Sequence, residues 1–317
     1  MEKLEVLKKF GTVGMKISET VKNAFEHAVE FAEKKTKTAA VILVIGQPGV
    51  GSRSLISLMY RELKKKRPFS FKASEDTHNA MEKAFEQILY LVNPSDYKHT
   101  PQLPGSNARS VEEYNFSTPK CHFTVYNTAG GIPDSGDSGT FEKFKDVLSK
   151  ASVIINVIDG AILMEGNPFR MEKINSPQRI KDTLYKYKKD DPCLILFVIT
   201  KCEAWIKNNH DIKKLRKKFE EWYEPVMKWI DYNENRMGIF IPVQTTGCIE
   251  FLRNEGKDET EISVYRHISH ELSPKDVEKP LEYAERYCMK QPMNIEDFET
   301  FGIYGKTAYL INKRGRR

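Results

Sequence analysis

A glycine-containing stretch at residues 46–51 lies between a short apolar run, residues 41–45, and a segment whose apolar residues have helical spacing. Successive backbone N–H groups in such a loop, together with the N-terminus of the following helix, point toward an anion. The stretch therefore predicts a phosphate-binding loop. Its candidate binding residues are Gly46, Gln47, Gly49, Val50, Gly51, Ser52, Arg53 and Ser54.

The two side chains that usually act on phosphate and magnesium are replaced in this loop. In the pattern GxxxxGK[ST], Gly46 and Gly51 occupy the glycine positions. Ser52 stands where a lysine reaches the phosphates, and Arg53 stands where a hydroxyl holds Mg²⁺. A shift of one residue lets Arg53 and Ser54 imitate the Lys-Ser pair, but the loop is then longer and the guanidinium is displaced. We favour Arg53 as an ion-paired or solvated residue at the helix start over a phosphate ligand, and Ser54 as either a helix cap or a magnesium ligand.

Two further strand ends carry polar residues that belong to the same chemistry. Asn127 follows the apolar run 121–126 at a position where an aspartate would add negative charge to a magnesium shell. A neutral amide attracts a hard dication less strongly, so the sequence predicts a weakened metal site. Gly130 supplies a backbone amide for a phosphate. Asp159, at the end of the run 153–158, is interpreted as a loop cap in preference to a metal ligand.

The last two strand ends have residues suited to reading a guanine base. A carboxylate at this place accepts hydrogen bonds from the guanine N1 and N2 donors, and the lysine stem packs over the ribose and base. Glu203 retains the carboxylate with one additional methylene, which alters its reach. The candidate residues are Thr200, Lys201, Glu203, Thr245 and Thr246, with Gly247 as a further backbone contact.

These polar positions follow strand-like runs that alternate with helix-like segments. Such alternation predicts an α/β fold in which helices cover both faces of a mostly parallel sheet, a three-layer α/β/α sandwich. The runs are residues 41–45, 121–126, 153–158, 194–199 and 239–243.

Three segments follow from the patterns along the chain. Residues 1–38 are predicted to be an N-terminal helical extension, and residues 39–252 a phosphate-loop domain with an insertion at about 68–116. The insertion is expected to hold one helix followed by a mobile loop. Residues 253–317 are predicted to be a C-terminal helical extension with a basic tail, whose helix packs back on the sheet.

From residue 41 to residue 247 the order of motifs resembles a P-loop GTPase-like domain of the translation-factor class. More narrowly, the chain is similar to the bacterial double-GTPase (DO-GTPase) families. The resemblance implies GTP or GDP as ligand, Mg²⁺ as its counterion, and Thr100 or Thr118 as a switch threonine near both. The motifs that carry the narrower resemblance are residues 58–60, 100–105, 127–130 and 279–283.

Departures from that pattern at four positions decide the predicted function. Ser52, Arg53, Asn127 and Glu203 all fall in one site, so we expect a degenerate GTPase-like protein that acts as a protein-interaction or switch module and retains weak guanine nucleotide binding. Hydrolysis is not expected, and no catalytic residue or metal ligand is assigned. The alternative is an active, divergent, Mg-dependent GTPase that hydrolyses GTP to GDP and phosphate through Arg53, Ser54, Thr100 and Glu203. A third hypothesis is a nucleotide-free scaffold with a filled pocket.

Composition narrows the partners and the location. Subtracting 44 acidic from 50 basic residues gives a net charge of +6, spread over the chain, so a specific nucleic-acid partner is not predicted and a protein partner is favoured. No apolar run approaches the roughly 20 residues of a membrane span, and the N-terminus lacks a signal-peptide pattern. The five scattered cysteines fit a reducing compartment, so a cytoplasmic location is expected.

Overall fold

The computed structural model describes residues 37–92, 110–133, 136–188, 191–207, 209–233, 235–255, 262–291 and 309–310. Three sequence predictions fall outside these ranges: the N-terminal helix, the loop that contains Thr100, and the basic tail at residues 313–317.

The centre of the fold is an eight-stranded sheet. Five neighbouring strands run parallel, in the order β7, β6, β5, β1 and β4. Beyond β4, β3 pairs antiparallel with β4 and β2 pairs antiparallel with β3. At the other end of the sheet, β10 pairs antiparallel with β7. The strands β8 and β9 form a separate antiparallel hairpin. The bounds are β1 Thr38–Ile45, β2 Lys72–Ala73, β3 Ser110–Ser117, β4 Cys121–Ala129, β5 Val153–Asp159, β6 Cys193–Thr200, β7 Arg236–Pro242, β8 Ile249–Glu255, β9 Ile262–His267 and β10 Tyr309–Leu310.

Helices cover both faces of this sheet. One face packs against α1, α2 and α8, and the opposite face packs against α3, α4, α6 and α7. Strands β5 and β6 are buried along their whole length, which explains why their sequences are continuous apolar runs without alternation. The predicted three-layer α/β/α sandwich is therefore confirmed. The helices are α1 Ser52–Lys66, α2 Glu75–Val92, α3 Ser138–Lys150, α4 Gly160–Glu165, α5 Pro168–Arg170, α6 Pro177–Tyr187, α7 Asn209–Asp231 and α8 Lys279–Cys288, with a π-helical turn at Met171–Asn175.

Five of the ten described strands were not predicted from the sequence: the pairs β2–β3 and β8–β9, and the two-residue strand β10. Within the predicted insertion at 68–116, α2 is the expected helix, but β2 and β3 extend the main sheet. Burial alternates along β3, where Tyr114 and Phe116 point into the core. The hairpin β8–β9 spans the boundary at residues 252 and 253, where the sequence predicts a helical extension to begin. Both pairs are antiparallel and half exposed, so their apolar signal is weaker than that of the buried strands.

The parallel arrangement brings the chemically important segments to one edge of the sheet. Strands β1, β4, β5, β6 and β7 all end there, since parallel strands share the direction of their carboxyl ends. In open α/β sheets, ligands bind at this edge. The glycine loop follows β1, and the predicted phosphate, metal and base segments at 127–130, 159, 200–203 and 245–246 lie at or just after the ends of the remaining four strands.

Replacing Phe219 tests how much the α7 face contributes to stability. The ring is fully buried, and its centroid lies 4.9 Å from that of Phe197, 5.0 Å from that of Phe240 and 5.1 Å from that of Tyr223. Phe219→Ala leaves a cavity, so the free energy of unfolding should fall by about 3–5 kcal/mol in urea titrations. The control Tyr232→Ala removes a ring that is 80% exposed and should change it by less than about 0.5 kcal/mol. Equal losses would contradict the assignment of the core.

Candidate functional site

The glycine loop has a backbone geometry suited to an anion. Gly49 and Gly51 adopt left-handed φ values of 86° and 92°, which glycine reaches at little cost. Gly51 is the N-cap of α1 and provides no side-chain cap, and the first turn of the helix has no acidic residue. The first N–H groups of α1 therefore lack a side-chain cap and lie at the positive end of a 15-residue helix. Ser52, Arg53 and Ser54 form this first turn, so Gly51 takes the cap position that was considered for Ser54.

Hydrogen bonds hold the loop against the neighbouring strand ends. The Thr200 hydroxyl, at the end of β6, donates to the Val50 carbonyl oxygen at 2.7 Å and to the Ile158 carbonyl oxygen at 3.1 Å. Gly46 lies so close to Val50 that an added Cβ would be 2.7 Å from the valine Cγ2. Val50 and Thr200 thus have structural contacts in the site where the sequence predicted binding contacts.

Gln47 crosses from the glycine loop to the start of α6. Its Nε2 donates to the Ser176 hydroxyl at 3.1 Å. Its Oε1 lies over Gly131, where an added Cβ would be only 2.1 Å away. Gly131 has a φ of 94° and follows Gly130, whose φ is 93°. The Asn127–Gly131 segment and the glycine loop are therefore brought together, with the Gln47 amide between them.

Arg53 is engaged by an acid that the sequence reasoning missed. Its Nη2 forms an ion pair with Glu112 Oε1 on β3. The other oxygen of Glu112 accepts from the Tyr114 hydroxyl at 2.7 Å and from Asn127 Nδ2 at 3.0 Å. Burial lowers the pKa of the Arg53 guanidinium, but the bond and charge of Glu112 outweigh this effect, and the pKa is raised. The interpretation of Arg53 as an ion-paired helix-start residue is confirmed.

This arrangement does not suit a magnesium ion. The position where a hydroxyl would bind the metal carries the Arg53 guanidinium, which offers no oxygen ligand to a dication. Asn127 donates its amide nitrogen to Glu112, and its buried Oδ1 has no hydrogen-bond partner among the described residues. Within those same residues, no group of three or more histidine, cysteine, aspartate or glutamate side chains could hold a metal ion.

On the base side, Lys201 is bonded to an acid of the adjacent strand end. Its Nζ donates to Asp159 Oδ2 at 2.6 Å and lies 5.6 Å from the centroid of the Tyr265 ring. Burial lowers the lysine pKa, but Asp159 and Tyr265 outweigh it, so the pKa is raised. Asp159 Oδ1 accepts from the N–H groups of Ala161 and Ile162 at the start of α4, at 2.9 and 3.2 Å. The cap interpretation of Asp159 is confirmed.

The Glu203 carboxylate is buried and bonded to the chain itself. Glu203 is 4% exposed. Its Oε1 accepts hydrogen bonds from the N–H groups of Thr246 and Gly247 at 2.8 and 3.2 Å and from the Thr246 hydroxyl at 3.2 Å. Thr245 also joins the two segments, because its hydroxyl accepts from Lys201 N–H at 3.2 Å. Burial raises the pKa of Glu203 in spite of the donors. The predicted base-reading segments are thus in contact.

The β8–β9 hairpin lies beside these base-side residues. Phe251 of β8 stacks on Trp205 with centroids 5.8 Å apart and meets Tyr265 of β9 edge-on at 6.0 Å. Tyr265 in turn faces Lys201. Neither Tyr265 nor Glu112 was a candidate from the sequence. The signal that could have found Glu112 is the two-residue alternation of β3, which puts an acid on the same face as Tyr114.

Thr118 does not join the site. It lies in the turn between β3 and β4, where its hydroxyl accepts from Cys121 N–H at 3.1 Å. Cys121 is paired with Thr38 at the beginning of β1, whereas the glycine loop follows the end of β1 at Ile45. The expectation that Thr118 is a switch threonine is therefore wrong, because the turn lies at the opposite edge of the sheet.

The strand order, the glycine loop between β1 and α1, and the helices on both faces decide the fold. It is a three-layer α/β/α fold with a glycine loop after its first strand, similar to the fold of P-loop GTPases. No protein-family profile and no curated protein sequence matches the chain. Among the described residues, no helix is both long and apolar enough to cross a membrane.

Solved structures with a similar fold include two of Era and one of the Ski7 GTPase-like domain. Era in complex with MgGDPNP and nucleotides 1506–1542 of 16S ribosomal RNA has 15% identity and a TM-score of 0.34, covering 66% of this chain and 52% of that one. An Aquifex aeolicus Era variant bound to GDP·AlF4⁻ has 16% identity and a TM-score of 0.34, with the same coverage of 66% and 52%. The S. cerevisiae Ski7 GTPase-like domain, bound to GDP and inorganic phosphate, has 13% identity and a TM-score of 0.42, covering 68% and 45%. The match spans about half the length of each of these proteins.

Gly131→Ala tests the close approach of Gln47. The added methyl group collides with Gln47 Oε1, and the left-handed backbone adds about 1–2 kcal/mol of strain for a residue with a Cβ. Chemical unfolding should show a loss of about 1–2 kcal/mol from the backbone strain, plus the cost of displacing the end of the flexible Gln47 side chain. Combining it with Gln47→Ala should recover the part due to the collision. Gly139→Ala is the control, since no atom lies within 4 Å of its added Cβ, and it should not destabilise. Strict additivity of the two loop substitutions would refute the contact.

Glu203 gives the site a pH-dependent stability. Because burial raises its pKa in the folded state, the folded chain binds this proton more tightly than the unfolded chain does. The stability from this group is present below the unfolded pKa and is lost as pH rises through the folded pKa.

We therefore expect Glu203→Gln, which keeps an acceptor for Thr246, to unfold at equal or higher urea concentration than the unmodified chain at about pH 8. Its advantage should shrink toward about pH 5. Glu203→Ala, which leaves buried N–H groups unpaired, should lose about 1–3 kcal/mol. If the stability of Glu203→Gln relative to the unmodified chain is lower at about pH 8 than at about pH 5, the raised pKa of Glu203 is contradicted.

Proposed function

We propose that this chain is a degenerate GTPase-like module that does not hydrolyse GTP and acts through contacts with a protein partner. The observation that carries the proposal is the set of contacts made by the Glu112 carboxylate. It forms an ion pair with Arg53 and accepts hydrogen bonds from Tyr114 and Asn127. These groups lie where the resemblance implies cation and metal chemistry, and they are bonded to one another.

Loss of hydrolysis follows from electrostatics. Phosphoryl transfer depends almost wholly on positioning and on positive charge at the transferred group. Ser52 brings no charge to the lysine position, and the charge of Arg53 is balanced by Glu112. The remaining attraction for phosphate comes from the backbone N–H groups of the loop and the dipole of α1.

Weak guanine nucleotide binding is part of the proposal. Lys201 and Glu203 lie at the same edge of the sheet as the loop, in the order expected for base contacts. A guanine base would have to share or displace the bonds that Glu203 makes to Thr246 and Gly247. Breaking such buried bonds offsets part of the binding free energy, so affinity should be low.

Exposed aromatic side chains support an interaction role. Phe69, Phe169 and Tyr232 are 92%, 74% and 80% exposed. Aromatic residues are enriched at protein interfaces. The partner and the cytoplasmic location remain predictions.

A second candidate is a nucleotide-free scaffold, favoured by the base-side contacts. Lys201 is held by Asp159, and the Tyr265 ring faces its ammonium group. In this case the chain's own side chains replace nucleotide contacts throughout, and no guanine nucleotide binds at any useful concentration.

Calorimetric titration with GTP, GDP and ATP, with and without Mg²⁺, separates these functions when it is combined with a phosphate-release assay. We expect guanine-selective binding weaker than about 10 μM that does not depend on Mg²⁺, and no phosphate release. Ser52→Lys should tighten GTP binding at least tenfold by restoring a cation at the loop. Ser138→Lys, at the first residue of α3, is the matched control and should have no effect. Mg-dependent GTP turnover by the unmodified chain would instead establish the active alternative.

A further inference from the structure

The Glu112 carboxylate joins the start of α1 to two strands. Glu112 lies directly opposite Asn127 in the β3–β4 register. One oxygen is paired with Arg53, and the other accepts from Asn127 Nδ2 and from the Tyr114 hydroxyl. The carboxylate is therefore a fixed anion held by three donors at the beginning of the helix.

The surroundings of this carboxylate would otherwise attract an external anion. The first turn of α1 has no acid and no side-chain cap, and the loop before it presents glycine N–H groups. Arg53 is the cation of this first turn, and its planar guanidinium matches phosphate as well as it matches carboxylate. Asn127, which is 1% exposed, has a buried Oδ1 without a partner in the described part of the chain, so the one side-chain hydrogen bond that it makes there is the bond that Nδ2 donates to Glu112.

We propose that Glu112 is an intramolecular anion that competes with external diphosphate groups for Arg53 and so weakens their binding to the glycine loop. The inference rests on the proposed function, because it takes the loop as a site that has lost its lysine and metal. The ligand class whose binding Glu112 weakens is a diphosphate, free or as part of a nucleotide.

Tethering makes this competition effective. A carboxylate fixed on β3 has a local concentration at Arg53 far above that of a free ligand. The pair is nevertheless within reach of solvent, since the side chains of Arg53 and Glu112 are 38% and 23% exposed. An external diphosphate can therefore reach Arg53 once Glu112 no longer carries a charge.

Titration of Glu112→Gln with inorganic pyrophosphate at low salt tests the proposal. Glutamine keeps the size of the side chain and an oxygen that accepts from Tyr114 and Asn127, but it removes the charge that holds Arg53. We expect pyrophosphate to bind this variant at least tenfold more tightly than it binds the unmodified chain. The control is Glu113→Gln, one residue along the same strand and exposed, which should leave the affinity unchanged.

The double variant Arg53→Gln with Glu112→Gln should lose the gain. If Glu112→Gln does not fold, Glu112→Asp keeps the charge but shortens the reach, and it should give a smaller gain. Equal pyrophosphate affinities for the folded variant and the unmodified chain would overturn the proposal. A gain shared by pyrophosphate, GDP and ADP supports competition for the diphosphate, whereas a gain confined to GDP would refute it, because the base would then decide.

Phosphate release from GTP is followed in the same samples. Turnover by the unmodified chain refutes the proposed function as a non-hydrolysing module. Absence of turnover together with equal pyrophosphate affinities refutes only the role of Glu112. The two failures are therefore distinguishable.

Discussion

The bond between Glu112 and Arg53 determines the chemistry that the rest of the site retains. Placing a guanidinium at the first turn of α1 requires a counter-charge in a half-buried position, and β3 supplies it. Once Glu112 is there, Asn127 and Tyr114 satisfy its second oxygen. A buried amide that donates to this carboxylate is compatible with the pair, whereas a second acid at position 127 would add repulsion. The four residues are therefore best understood as one electrostatic unit.

Backbone and side chains have separated roles at this edge of the sheet. The glycine conformations at positions 49 and 51 and the uncapped start of α1 preserve a geometry suited to phosphate. The side chains around it bond to one another: Gln47 to Ser176, Lys201 to Asp159, and Glu203 to Thr246. A fold can keep its backbone arrangement while its charged side chains pair with one another and no longer face a ligand. Core packing constrains the backbone, whereas only local pairing constrains the charged side chains.

Most of the sheet and its helices could be predicted from the sequence. The strands β1, β4, β5, β6 and β7 have continuous apolar runs because both faces are covered, and the helices have apolar residues at helical spacing. Strands β2 and β3 and the β8–β9 hairpin were missed, since half-exposed strands mix polar and apolar residues. Missing β3 meant missing Glu112, and missing the hairpin meant missing Tyr265.

The sequence by itself determined which residue types end each parallel strand, and hence that a glycine loop, an asparagine, a lysine and a glutamate meet at one edge. It also determined that the lysine of the glycine loop is replaced by Ser52 and the aspartate after β4 by Asn127, because residue identity can be read directly from the sequence. Only the tertiary structure decided what the remaining charges do. Arg53 and Glu112 are 59 residues apart in the chain, and Glu203 is 43 from Thr246. Pairing over such separations depends on strand order and register, which local patterns do not encode.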